Sequence, residues 1–220
     1  MTESFEWGFF NRSDETVDSV RDLPHKEQPG SITFVTVRLA DSIPKAVVRP
    51  WHNEVEVWLR ENGLSEFSVE EVLKSHTISS DLKNQLRKFR NRSWHNRLDD
   101  CHGDCVLRRA DCRSEVCNSL LHFNSQRYDL ESFIVMPNHV HVLIQMREDY
   151  SLRKQFREIQ RFSARKINRI LGRSGSLWQG EPFDHIVRNS AQLEYLHGYI
   201  RDNGTKAGLQ NDEFTWWNCN

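Results

Sequence analysis

Two histidines separated by one residue are the first feature of this sequence that could do chemistry. They lie in residues 136–144 (MPNHVHVLI), whose alternating apolar and β-branched residues predict a strand. Residues two apart on a strand point to the same side, so His139 and His141 converge while the intervening valine faces the core. Two imidazoles on one rigid face can hold a divalent cation and leave coordination positions open. The alternative is a pair of histidines with no role beyond packing or solvation.

A tyrosine and an asparagine near the end of the chain form the second candidate. Tyr199 and Asn203 are four residues apart in a segment that predicts a helix from Ser190 to about Asn203, so they share one helical face. A phenol can attack a phosphodiester when a metal polarises the phosphate. Tyr195, one turn earlier, fits the same periodicity, and a core tyrosine beside a helix-terminal asparagine is the alternative.

An arginine ladder is the third candidate, because five arginines recur every four residues along a predicted helix over residues 151–171. Such a row can contact successive phosphates, or it can be an ordinary solvated face. The arginines are Arg153, Arg157, Arg161, Arg165 and Arg169.

The charge distribution favours a nucleic-acid partner. The 30 basic and 31 acidic residues leave a net charge of −1, but they are segregated. Residues 83–97, which include Lys88 and Arg90, hold six bases and no acid, whereas residues 1–30 are acidic. No apolar run reaches the length of a membrane helix, and the N-terminus lacks a basic segment followed by an apolar one. We therefore expect a cytoplasmic protein with no membrane partner, associated with the nucleoid when it binds DNA.

The cysteines predict reduced thiols rather than a zinc site. Four of the five cysteines lie in residues 101–117 with the spacing C-x3-C-x6-C-x4-C, which lacks the two-residue knuckles of common structural zinc sites. Partly buried thiols on a helix over residues 112–124 are the interpretation that we prefer to zinc.

The remaining elements predict a mixed α and β domain. Strands are expected at residues 31–40, 128–136 and 139–146, and further helices at 46–62 and 69–93. We expect an acidic, flexible arm over residues 1–30 and one domain over residues 31–210. A helical insertion is predicted at about residues 84–120, and a tail at residues 211–220.

Four stretches together resemble one family of proteins. MPNHVHVLI is similar to the His-hydrophobic-His motif of single-tyrosine HUH transposases. FVTVRLADSIP at residues 34–44, LWQGEPFDHIVR at 177–188 and YIRDNGTKAGL at 199–209 resemble the REP-associated tyrosine transposase branch of that family. The resemblance covers roughly residues 31–210. It departs from the family pattern at Pro182-Phe183, where an aromatic pair is usual, and at Gly204, where a proline is usual. A glycine at that position can end the helix by a left-handed cap.

The resemblance implies an α+β fold, ferredoxin-like, with an antiparallel sheet and helices packed on one face. It also implies Tyr199 as nucleophile and His139, His141 and Asn203 as ligands of Mg²⁺ or Mn²⁺. Since Asn203 lies two turns, about 12 Å, beyond Tyr195, one ion can hardly serve both residues, which favours Tyr199.

The expected activity is metal-dependent cleavage and rejoining of single-stranded or hairpin DNA through a 5′-phosphotyrosine, by a monomer or homodimer. The basic helices would position the strand, and Trp178 would stack on splayed bases. Two other functions remain open: a non-catalytic DNA-binding protein of the same fold, and an unrelated HxH metallo-phosphoesterase.

Overall fold

A five-stranded antiparallel sheet carries the central residues of the chain. The structure, a computed structural model, describes residues 6–11, 13, 16–20 and 24–219. The sheet contains β3 (Ile32–Arg38), β4 (Tyr128–Val135), β5 (His139–Met146), β6 (Phe183–Ile186) and β7 (Thr215–Asn218), in the order β6-β3-β5-β4-β7. Two N-terminal strands, β1 (Val17–Val20) and β2 (Pro24–Glu27), form a separate antiparallel pair.

Helices cover both faces of the sheet. The helices α4 (Ala110–Leu121) and α5 (Leu152–Ile170) bury their apolar sides against one face, where Val140, Val142 and Ile144 of β5 point. The helix α6 (Ser190–Lys206) packs on the other face, against Leu143 and its neighbours. The predicted α+β class with an antiparallel sheet is confirmed. The packing of helices on one face holds for α4 and α5, whereas α6 takes the opposite face.

The chain forms two compact units. One contains residues 1–40 and 104–220, and the other contains residues 41–103. The second unit consists of α1 (Lys45–Glu61), α2 (Val69–Lys74) and α3 (Ser80–Asp99), with a core of its own that includes Val55, Leu59, Leu64, Val72 and Leu86. The insertion predicted at about residues 84–120 overlaps this unit in α3 only, since α4 belongs to the first unit and packs on the sheet.

Several element boundaries differ from the predictions for local reasons. The helix expected over residues 69–93 is two helices, since Ser68 and Ser79 each cap a new N-terminus with a side-chain oxygen. The tail expected from residue 211 includes β7, which pairs with β4. The helix α6 continues past Gly204 to Lys206, and the left-handed glycine after it is Gly208, with φ of 71°.

Part of the N-terminal arm packs on the sheet. The carbonyl of Gly8 accepts from the amide of Ile32, and Trp7 and Phe9 contact the apolar cluster beneath α6. The strands β1 and β2 also lie in the predicted arm, and its residues 1–5, 12, 14–15 and 21–23 lie outside the described residues. Over the part of the chain that the structure describes, no helix has the length and apolar character needed to cross a bilayer.

Candidate active site

His139 and His141 lie side by side on the sheet face that α6 covers. Both side chains are 0% exposed, and their ring centroids are 4.6 Å apart. The residue between them, Val140, points into the core on the opposite face. The predicted alternation is therefore confirmed, and it follows from the two-residue period of a strand.

A side-chain oxygen contacts the Nδ1 atom of each histidine. Asn138 Oδ1 is 2.7 Å from Nδ1 of His139, and Thr36 Oγ1 is 2.9 Å from Nδ1 of His141. An amide oxygen can only accept, so Nδ1 of His139 carries the proton and its Nε2 keeps a lone pair. Thr36 reaches His141 because β3 and β5 pair in a register that places these two residues opposite each other. The lone pair of His139 is therefore on Nε2, whereas the Thr36 hydroxyl, which can donate or accept, orients the ring of His141 without selecting its tautomer.

Tyr199 brings a phenol to the histidine pair. Its hydroxyl is 3.3 Å from Nε2 of His141, and the two ring centroids are 5.2 Å apart. Phe34 stacks on the other side of His141 at 5.2 Å and meets Tyr199 edge-on at 6.2 Å. Tyr195, by contrast, is 71% exposed. Of the two tyrosines that share this helix periodicity, Tyr199 is the one that contacts a histidine of the pair.

Asn203 lies one helical turn beyond Tyr199, about 6 Å along the axis of α6. It is 1% exposed, within the helix rather than at its end. The next residue, Gly204, lies so close to the Phe214 ring that a Cβ there would be 2.6 Å from it. Close packing of α6 on the 209–214 segment therefore fixes the depth at which Asn203 is buried.

The donor set of this site fits a divalent cation. Two imidazole Nε2 atoms and one carboxamide oxygen are ligands that first-row divalent metals accept. Partners at Nδ1 are the usual way in which proteins orient metal-binding histidines, and His139 and His141 each have such a partner. The residues present thus suit the metal that the resemblance implies.

Two of the cysteines, Cys112 and Cys117, have a packing role. Burial raises the pKa of the Cys112 and Cys117 thiols to about 11. They therefore stay protonated near neutral pH, a state that neither attacks nor binds zinc. Cys112 lies in the main core, and Cys117 packs against it.

The predicted stacking role of Trp178 is wrong. This side chain is 6% exposed, and its Nε1 donates to Ser163 Oγ at 3.0 Å inside the core. The sequence suggests an exposed aromatic because residues 177–187 look extended and irregular, but Leu39 and Trp178 form an isolated bridge that joins this segment to the sheet.

The predicted DNA-binding arginines of α5 face solvent. Arg157, Arg161, Arg165 and Arg169 are exposed, and Arg153 is half-buried. They lie across the sheet from the histidines, because α5 and α6 cover opposite faces. The structure thus does not bring the ladder together with the histidine–tyrosine cluster.

The two other predicted DNA-binding cations lie on α3 in the second unit. Lys88 is exposed, while Arg90 is half-buried with its guanidinium carbon 5.6 Å from the centroid of the Trp51 ring. Burial lowers the pKa of Arg90, which nevertheless remains a cation near neutral pH.

Sequence reasoning missed Thr36, Asn138 and Phe34 as members of the site. Asn138 is beside the histidines in the sequence, but spacing alone does not show that its side-chain oxygen contacts Nδ1 of His139. Thr36 and Phe34 lie on β3, more than 100 residues away, so their contacts depend on a strand register that single-sequence patterns do not give.

The part of the chain that contains this site matches a known protein family. Residues 108–203 match the family described as "Transposase IS200 like". The match spans β4, β5 and α5, and it contains His139, His141, Tyr199 and Asn203. It confirms the resemblance drawn from the sequence motifs.

One solved structure is also similar. It is described as the REP-associated tyrosine transposase bound to a REP hairpin, and it is 15% identical to this chain. The alignment has a TM-score of 0.40 and covers 83% of this chain and 71% of the other. No curated protein matches this chain.

Proposed function

From the match of residues 108–203 to the family described as "Transposase IS200 like", we propose that this chain is a DNA strand transferase. It would cleave and rejoin single-stranded or hairpin DNA through a covalent link between Tyr199 and a 5′-phosphate. The proposal includes dependence on a divalent cation, Mg²⁺ or Mn²⁺.

The contact between Tyr199 and His141 carries the proposal. A hydroxyl 3.3 Å from a buried imidazole nitrogen, on a face shared with a second histidine, places a nucleophile beside a cation-binding pair. A half-buried phenol is also held in few rotamers, which keeps it aligned for attack. A phosphate bound between the histidines and α6 would meet both groups.

The proposed reaction exchanges one phosphodiester for another. The Tyr199 oxygen attacks phosphorus, the bond to the 3′-oxygen breaks, and the proton lost by the phenol is balanced by one gained, through solvent, by the 3′-hydroxyl. A second strand's 3′-hydroxyl then reverses the step, so the bond is retained without a nucleotide cofactor. The phenol lies beside Nε2 of His141, the atom at which the cation would be held, and Phe34 stacks on the imidazole.

His139, His141 and Asn203 are the residues that would hold the cation. When bound there, the cation supplies Lewis-acid polarisation of the scissile phosphate. The Asn138 oxygen selects the tautomer of His139 that has its lone pair on Nε2, and Thr36 orients the imidazole of His141 by a contact at Nδ1.

The test is trapping of the covalent adduct on end-labelled hairpin and single-stranded DNA with Mn²⁺ or Mg²⁺. We expect Tyr199→Phe to lose the adduct and strand transfer while it retains DNA binding, because the ring stays and the nucleophile goes. Tyr195→Phe is the matched control, since its ring is 71% exposed one turn earlier on α6, and it should remain active. EDTA should abolish the adduct.

The other two functions give different results in this test. DNA binding without an adduct, under every metal condition, would favour the non-catalytic protein. Turnover of a small phosphodiester that survives Tyr199→Phe would favour a metallo-phosphoesterase. An adduct that persists in Tyr199→Phe and disappears in Tyr195→Phe would overturn the assignment of the nucleophile.

A further inference from the structure

Phe162 is a large apolar side chain in the middle of a strongly basic surface. It lies on α5 and is 54% exposed. The ammonium of Lys166 is 5.7 Å from the centroid of its ring. Single exposed apolar residues are common on protein surfaces, so the charge that surrounds this ring is what requires explanation.

The cations beside Phe162 are available to a ligand. The α5 sequence has seven bases and one acid, Glu158. The Glu158 carboxylate is 3.0 Å from the guanidinium of Arg127, a residue outside α5. Among the described residues, no carboxylate forms an ion pair with Arg157, Arg161, Arg165 or Arg169. The exposed face of α5 is therefore an uncompensated positive surface with an aromatic ring in it.

This chemistry fits an unpaired nucleic-acid strand. The guanidinium groups complement phosphates, and an exposed ring can stack only on a base that is free of the double helix. The surface is separated from the histidine pair by the thickness of the sheet, because α5 packs on the face opposite to α6. A strand bound on α5 is therefore a segment other than the phosphodiester at Tyr199.

We propose that the exposed face of α5 is a second DNA-contact surface, on which Phe162 stacks on an unpaired base and the neighbouring arginines contact the flanking phosphates. The inference rests on the proposed function for the identity of the ligand as DNA. It does not depend on cleavage, since it concerns binding alone.

The experiment measures the affinity of the full chain for an oligothymidine and for a blunt duplex of equal length, at fixed salt, in a Tyr199→Phe background. Phe162→Ala should weaken oligothymidine binding by about 5- to 150-fold, the range for the loss of one stacked base. Phe162→Trp should restore it, and duplex binding should change much less. Phe67→Ala, which removes a phenylalanine that is 42% exposed in the second unit, is the matched control and should have no effect.

Three outcomes would overturn the inference. Unchanged oligothymidine affinity in Phe162→Ala would show that the ring does not stack. An equal loss on the duplex would show a general electrostatic or folding effect. Loss of binding to phosphatidylglycerol vesicles, with DNA binding intact, would assign the surface to a membrane. Failure of the proposed function is seen separately, as the absence of the covalent adduct in the unmodified chain while the Phe162 effect persists.

Discussion

Asn138 places its side-chain oxygen 2.7 Å from Nδ1 of His139, and this contact decides which nitrogen of the ring can bind a cation. Without an acceptor at Nδ1, a neutral imidazole in water can carry its proton on either nitrogen. The hydrogen bond therefore preselects the tautomer that leaves Nε2 unprotonated. Thr36 supplies the corresponding contact for His141.

Asn138→Ala should therefore weaken Mn²⁺ binding by about 10- to 100-fold, the usual effect of losing such an orienting partner. Titration calorimetry of the DNA-free protein measures the affinity, and ¹⁵N NMR of the imidazoles measures the tautomer. We expect the Nδ1–H form of His139 to lose its excess in this variant.

Asn138→Asp is the matched control, because it keeps an oxygen at the same place and should retain the tautomer. A thermal melt of both variants separates orientation from folding. If Asn138→Ala keeps both the tautomer and the affinity, Asn138 does not position the histidine.

At this scale the sequence predicts the groups proposed to react but not the groups that contact and orient them. His139, His141 and Tyr199 are found by their spacing and by the family resemblance, since both depend on neighbours in the sequence. The partner of His141 lies 105 residues away, and only the pairing of β3 with β5 brings it there.

At the scale of elements, α6 is the helix that carries Tyr199 and Asn203. Its close packing against Phe214 depends on the absence of a side chain at Gly204. A Cβ at this position would lie 2.6 Å from ring atoms of Phe214, which is too close for any real contact. At Gly198 on the same helix, a Cβ would meet nothing within 4 Å. The two glycines differ in packing but share a helical backbone.

Gly204→Ala and Gly198→Ala should therefore differ in stability. Both gain about 1 kcal/mol of helix propensity, so the difference between them isolates the clash with Phe214. We expect Gly204→Ala to be less stable than Gly198→Ala by about 1–3 kcal/mol, the cost of overpacking. Urea denaturation of the two variants measures this difference. Equal midpoints would mean that Phe214 moves aside without cost.

The elements that the sequence predicts best are those with a strong local signal. The long helical pattern of α5 and the alternation of apolar and polar residues in β5 predict these two elements at the positions where the structure has them. The strand β7 was missed because its four residues become a strand only by pairing with β4, about 80 residues earlier. The break between α2 and α3 was missed because Ser79 caps a new helix there, within a stretch of continuous helical composition.

At the scale of the whole molecule, the sheet separates two surfaces with different chemistry. The buried face under α6 holds the histidine–tyrosine cluster, and the outer side of α5 holds the exposed arginines. A helical period shows that the arginines share one side of α5, but it does not show which face of the sheet the helix covers. The separation is therefore a property of the fold that no local pattern contains.

This separation predicts that binding and cleavage respond differently to the loss of arginines. Arg157→Gln combined with Arg161→Gln should weaken single-stranded DNA binding and flatten its salt dependence. Each lost phosphate contact removes about 0.7 from the slope of log affinity against log salt, so two lost contacts remove about 1.4. Fluorescence anisotropy over a series of salt concentrations measures the slope.

The yield of the Tyr199 adduct at saturating DNA should stay within a few-fold of the unmodified chain, because neither arginine lies on the face of the sheet where Tyr199 contacts His141. Lys74→Gln is the control, since this ammonium is already paired with Glu70 at 2.6 Å and its loss should leave the slope unchanged. An unchanged slope in the double variant would mean that the α5 face does not contact DNA, and α3 with its exposed Lys88 would be the next surface to test. Loss of the adduct even at saturating DNA would instead show that one strand must contact both faces before Tyr199 can react.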